Sequence, residues 1–171
     1  MTSQRVLVAY ATKHGSTAEI AAAVADTVMA SGLNAEVRPA SDIRDVEGYS
    51  AVILGSPVYM TRWRREALVF GRRHHSSLCE RPVWLFSSGP LDDSALREDI
   101  PAPRAVARLA RQLGARGHVT FGGCLTADAR GFLERRLVQT GRAGDFRDFE
   151  QIRAWARKVA AELQRPASER P

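Results

Sequence analysis

Cysteine, lysine and long apolar runs are all scarce in this chain of 171 residues, and the absences narrow its class. The two cysteines, Cys79 and Cys124, form no C-x-x-C pair and no metal-ligand spacing, which leaves both as plain thiols near the core. No apolar run approaches the roughly 20 residues of a membrane helix, and no basic-then-apolar signal opens the chain. A cytoplasmic protein is expected, with at most peripheral membrane association. No G-x-x-x-x-G-K-[ST] is present, so a P-loop NTPase is excluded, and no G-x-G-x-x-G follows a strand, so a standard NAD fingerprint is missing. Only Lys13 and Lys158 among the 25 basic residues are lysine; the other 23 are arginine, and the net charge is +6. Arginine in place of lysine reflects either codon bias or a basic surface with a use. No basic stretch carries the interleaved aromatics of an RNP motif, and zinc-finger signatures are absent, so no nucleic-acid partner is expected.

What is present is ordinary globular composition, with 44% hydrophobic and 26% charged residues, enough for one domain over residues 1–164. A frayed tail, Arg165 to Pro171, follows it. The most informative stretch is Arg5 to Thr17. Val6 to Tyr10 is a short apolar run, as in a parallel strand covered on both faces. Small and hydroxylic residues follow around Gly15, and then Ile20, Val24 and Val28 recur at helical spacing. Ser16-x-x-Glu19 reads as a capping box, which starts the helix at Ser16. Hydroxyls and free N–H groups thus meet the positive end of a helix dipole, where a phosphate binds without needing a lysine. A phosphorylated ligand is implied, against the plainer alternative of an ordinary capped junction.

The rest of the chain alternates strands with helices. Strands are expected at Ala35 to Arg38 (an edge), Ala51 to Gly55, Pro82 to Ser87 and His118 to Gly122. A loop spans Ser56 to Thr61, and a basic amphipathic helix runs from Arg62 to His75 with Trp63, Ala67 and Phe70 on its apolar side. Ser88 to Pro103 is a long loop, Arg104 to Leu113 a helix ending at Gly114, and Phe149 to Leu163 the closing helix. Helical crossovers between strands imply a parallel sheet, whose ligands bind beyond the C-terminal strand ends where strand order reverses. Three loops leave those ends: Ala11 to Thr17, Ser56 to Thr61 and Ser87 to Leu91.

Thr12-x-His14-Gly15-Ser16-Thr17 resembles the phosphate loop of flavodoxins, with His14 where that family usually has a hydroxyl residue. Gly55-Ser56-Pro57-Val58-Tyr59-Met60 and Ser87-Ser88-Gly89-Pro90-Leu91 sit where flavodoxins place the loops that hold the isoalloxazine ring. The resemblance covers nearly the whole chain. It implies an α/β three-layer sandwich with a five-stranded parallel sheet in order 2-1-3-4-5, and FMN as cofactor. Within that superfamily the spacing looks closest to the flavodoxin-like protoporphyrinogen dehydrogenases, on the T-x-x-G-x-T loop, the loop tyrosine before a helix, and Asp148-Phe149-Glu150 opening the last helix. Two features depart from the pattern. Electron-carrier flavodoxins are acidic where this chain is basic, and the long insertion of the heme-pathway enzymes shrinks here to Leu125 to Arg147, with Phe132-Leu133-x-Arg135-Arg136-Leu137 as a remnant.

The resemblance assigns FMN contacts to Thr12, Lys13, His14, Gly15, Ser16 and Thr17 around the phosphate, and to Pro57, Val58, Tyr59, Met60, Thr61, Ser87, Ser88, Gly89, Pro90 and Leu91 around the ring. Charge-assisted bonds from the hydroxyls would hold the phosphate, and Tyr59 would cover the flavin face. His14 either adds positive charge or faces solvent. Trp63 belongs to the core, His74-His75 to a helix C-terminus rather than a metal site, and Asp92-Asp93 to the solvated rim. The flavin carries the chemistry, so no catalytic side chain is named. The implied activity passes electrons from a reduced substrate, protoporphyrinogen-like, to a quinone-like or protein acceptor. A non-enzymatic electron carrier and a flavin-binding regulatory module are the alternatives. Arg62, Arg64, Arg65, Arg72 and Arg73 either steer an anionic redox partner or substrate towards the flavin or merely solvate a helix face.

Overall fold

A computed structural model describes residues 4–126 and 131–166. Residues 167–171 of the expected tail lie outside the described residues. Strands β1 (Arg5–Tyr10), β2 (Asn34–Pro39), β3 (Ala51–Tyr59), β5 (Val83–Ser88) and β6 (Gly117–Phe121) pair in parallel in the order β2-β1-β3-β5-β6. Counting these parallel strands alone, that is the expected order 2-1-3-4-5. A short strand β4 (Arg62–Trp63) pairs antiparallel with the end of β3.

The central strands carry the apolar runs Val6 to Ala9, Ala51 to Leu54 and Val83 to Phe86 because each face of the sheet is covered, and the pleat divides them between two cores. Leu7, Ala9, Val52, Leu54, Val83 and Leu85 face one way, against Ala67 and Phe70 of α2 (Arg65–Arg73) and Val106, Leu109 and Leu113 of α5 (Arg104–Leu113). Val6, Val8, Ile53, Trp84 and Phe86 face the other, against Ile20, Val24 and Val28 of α1 (Ser16–Ala30) and Ile152, Ala156 and Val159 of α7 (Phe149–Gln164). Two helix layers on one sheet make the three-layer sandwich. Gly55 is required in β3, since an added Cβ would lie 1.9 Å from the Phe86 ring on the neighbouring strand.

The elements differ from the sequence reading in four places. The capping box does not form: Gly15 is the N-cap, in the left-handed region at φ 90°, with no side-chain cap. Glu19 is drawn away to Arg147, whose side chain is buried and also pairs with Asp145. Ser56 to Thr61 is mostly strand rather than loop, because β3 runs on to Tyr59 and turns back through Met60 and Thr61. The helix after it starts at Arg65, since Trp63 lies on β4, and it breaks at His74 before α3 (His75–Cys79). The Ser88 to Pro103 loop contains a short helix, α4 (Ser94–Arg97). Cys79 is exposed, not near the core, because Leu78 takes the inward position of α3; Cys124 is half-buried.

The segment after β6 forms a small ribbon of β7 (Cys124–Leu125) and β8 (Gly144–Asp145), with α6 (Phe132–Gln139) between them. Asp148 caps α7, its carboxylate accepting from the Glu150 and Gln151 N–H groups at 2.8 and 3.1 Å. Among the described residues no helix is long and apolar enough to cross a membrane.

Candidate functional site

Parallel pairing puts the C-terminal ends of β1, β3 and β5 side by side, and the loops that leave them border one cavity of about 490 Å³. Its size is that of a small-molecule site. Ser16 lines it from the start of α1. Pro57, Val58, Tyr59, Met60 and Thr61 line it from the β3–β4 hairpin, and Ser88, Gly89, Pro90 and Leu91 from the end of β5. The ribbon and α6 close it with Gly123, Leu125, Glu134 and Arg142, and Ile100 and Pro101 cover one side. Gly123 allows this closure: its N–H donates to the Pro90 carbonyl at 2.8 Å, and a Cβ would lie 2.9 Å from the Gly89 carbonyl oxygen.

Of the sixteen residues assigned to cofactor binding, ten line this cavity. The other six support it. Thr12 Oγ1 accepts from the Gly15 N–H at 2.9 Å and fixes the loop. Thr17 is fully buried, its hydroxyl 3.0 Å from that of Ser88, which ties α1 to β5. Gly15 leaves the space before it open, with no atom within 4 Å of an added Cβ. Lys13 and His14 both turn to one carboxylate, Glu134; His14 Nε2 lies 3.4 Å from it. Ser87 is buried, and its Oγ accepts from Trp63 Nε1 at 2.8 Å and lies 2.8 Å from His118 Nε2. Trp63 is a core residue, as expected.

Glu134 is the residue that sequence reasoning missed. Its side chain is buried, and its carboxyl is held down to about 2 by the hydrogen bond from Lys13, with help from its own backbone N–H and from His14. It is the unassigned position within the Phe132 to Leu137 remnant, and a single carboxylate beside two arginines was the one available signal. An anionic oxygen therefore already sits at the loop read as a phosphate site. His118 was also missed. Burial depresses its pKa to about 4, and its Nε2 shares a hydrogen bond with the Ser87 hydroxyl. Tyr59 has its phenol pushed up by burial, then by Glu134, and Lys13 Nζ stands 5.2 Å from its ring centroid.

The donor set fits a phosphorylated flavin. The N-terminus of α1 carries no side-chain cap, Ser16 faces the cavity, and Lys13 and His14 flank the loop while holding a carboxylate as a stand-in anion. A flavodoxin domain family model matches residues 7–148, most of the chain. The chain belongs to the flavodoxin domain family. Solved structures similar to this flavodoxin-domain chain include a flavodoxin from the domain Archaea, at 12% identity and TM-score 0.64, covering 95% of this chain and 100% of that one. Oxidised flavodoxin 1 from Bacillus cereus matches at 17% identity and TM-score 0.61, over 94% and 100%. The rubredoxin oxygen:oxidoreductase of Desulfovibrio gigas matches at 13% identity and TM-score 0.63, over 94% of this chain but only 36% of that larger one. At these identities the likeness is one of fold. No curated protein matches the chain.

Proposed function

We propose that this flavodoxin-domain protein binds FMN in the cavity and works as an oxidoreductase. The observation that carries the reading is the uncapped start of α1 at one end of a cavity whose walls come from all three strand-end loops. Ser16 and the first-turn N–H groups would hold the phosphate, with Lys13 released from Glu134 to add positive charge and His14 to add a hydrogen bond. Tyr59 on one wall and the Ser88 to Leu91 backbone on another would flank and orient the ring. Ile100 and Pro101 exclude water from one side. FMN supplies reversible one- and two-electron chemistry when bound.

The narrower reading is a protoporphyrinogen-like, anionic substrate with a quinone-like or protein acceptor. Arg142 at the cavity and the net charge of +6 support it. A second reading, a non-enzymatic carrier, is supported by the end-to-end match to flavodoxins. The test is to incubate purified protein with FMN, desalt it, and offer it a porphyrinogen with a short-chain quinone, or else a redox protein alone. Flavin absorbance that stays with the protein supports the cofactor. Turnover of the small molecules then selects the enzyme, and exchange with proteins alone selects the carrier. Protein that emerges colourless sinks both.

A further inference from the structure

A second cavity of about 720 Å³ lies on the other side of Tyr59, which is the one residue lining both. It is bordered by the segment Ala40 to Ile43, by β4 and by α2. Four arginines line it: Arg62, Arg64, Arg65 and Arg73. Among the described residues, Arg62, Arg65 and Arg73 form no ion pair, while Arg64 donates to Glu66 at 2.6 Å. Glu66 is thus spent on one arginine. Asp45 acts on His74, and Glu134 acts on Tyr59 and pairs with Lys13, which also lines the cavity. Positive charge around the cavity exceeds negative.

Two nitrogens there are buried with no hydrogen-bond partner, Arg64 Nε and His74 Nε2. His74 is only 8% exposed and lines the cavity, its ring held by a hydrogen bond to the Ile43 backbone. A buried polar atom left without a partner is costly, and a bound group is one way to complete its bonding. The cavity is not polar throughout. Ile43, Trp63 and Phe70 are buried residues of its wall, and Val69 adds exposed apolar surface. An inorganic anion would leave that apolar wall wet, and a neutral hydrocarbon would leave the arginines unused.

We infer that this cavity binds a small organic acid with an apolar body, its carboxylate met by Arg65 and Arg73 and its body laid against Val69. Arginine suits this role because its planar fork pairs with a carboxylate through two parallel bonds. Apart from Tyr59 and Lys13, its lining residues have no part in the proposed flavin site. It would place an acid substrate or effector directly behind the tyrosine that walls the flavin site.

The probe is 2-naphthoate, with neutral 2-naphthalenemethanol as its control, each titrated calorimetrically into the full-length protein with and without FMN. Naphthoate should bind at least tenfold tighter than the alcohol, and the Arg65→Gln/Arg73→Gln variant should lose at least tenfold in naphthoate affinity. Both arginines are exposed, so the variant should fold, and its FMN affinity should match wild type. Equal binding of acid and alcohol, or no binding of naphthoate at millimolar concentration, would overturn the inference. So would competitive displacement of naphthoate by FMN, which would place the acid in the flavin cavity instead. Failure of FMN to bind, with naphthoate still bound by the arginines, would count against the flavin reading alone.

Discussion

The fold shifts the protonation of Glu134 and His118, Glu134 downwards through its hydrogen-bond partners and His118 downwards through burial. Glu134 holds a negative charge at the loop proposed to take a phosphate, and occupies Lys13 and His14. Glu134→Gln removes that charge and leaves a shape of equal size, so FMN should bind about tenfold tighter, about 1.4 kcal/mol. Weaker or unchanged binding on fluorescence titration would mean that Glu134 does not compete for the loop. His118 has its pKa depressed in the folded state to about 4, against an ordinary value of 6.5. Above 6.5 both folded and unfolded chains hold it neutral, and there is no effect. As pH falls towards 4 the unfolded chain takes a proton that the folded chain refuses, so stability is lost. Discounted for the solvent that reaches a partly exposed ring, the loss by pH 5 is about 1–2 kcal/mol. In urea unfolding, His118→Gln should shrink the difference between pH 7 and pH 5 by that amount. An unchanged difference would assign the acid sensitivity elsewhere.

The β3–β4 hairpin shows which elements the sequence discloses and which it hides. Its turn residues Met60 and Thr61 have φ of 48° and 63°, and Met60 is 73% exposed. Two-residue hairpin turns of this kind favour Asn-Gly, and Met-Thr carries no such signal, so Ser56 to Thr61 read as a loop. The Met60→Asn/Thr61→Gly variant relieves left-handed backbone at two positions. It should gain about 1–2 kcal/mol and raise the melting temperature by about 3 °C or more. A lower melting temperature would show that the turn is held by side-chain contacts instead. Trp63 misled for a related reason: an apolar residue four before Ala67 has helical spacing, but Trp63 reaches the core from a strand to donate to Ser87. By contrast β1, β3 and β5 were legible, because strands buried on both faces carry uninterrupted apolar runs. The closing helix was legible too, with Asp148 as its cap.

Across the whole molecule, the order of strands follows from short crossovers, and the place of the cavity follows from that order. This is why ten of the assigned residues meet at one cavity although the chain separates them by up to 75 positions, from Ser16 to Leu91. The roles of single side chains were less legible. Thr17 reads as a phosphate hydroxyl and Ser87 as a ring contact, yet both are spent on interior bonds between elements distant in sequence. Glu134 and the Arg62 to Arg73 cavity depend on the packing of segments that carry no motif. Tertiary contacts, not local patterns, decide which polar group faces a ligand. The central claim is that the start of α1 recognises a phosphate. Titration of ligand-free protein with FMN and with riboflavin, for wild type and Ser16→Asp, tests it most directly. Wild type should prefer FMN by about a hundredfold, and the variant should lose that preference while keeping its circular dichroism and melting temperature. Equal affinity of the wild type for the two flavins would contradict the account.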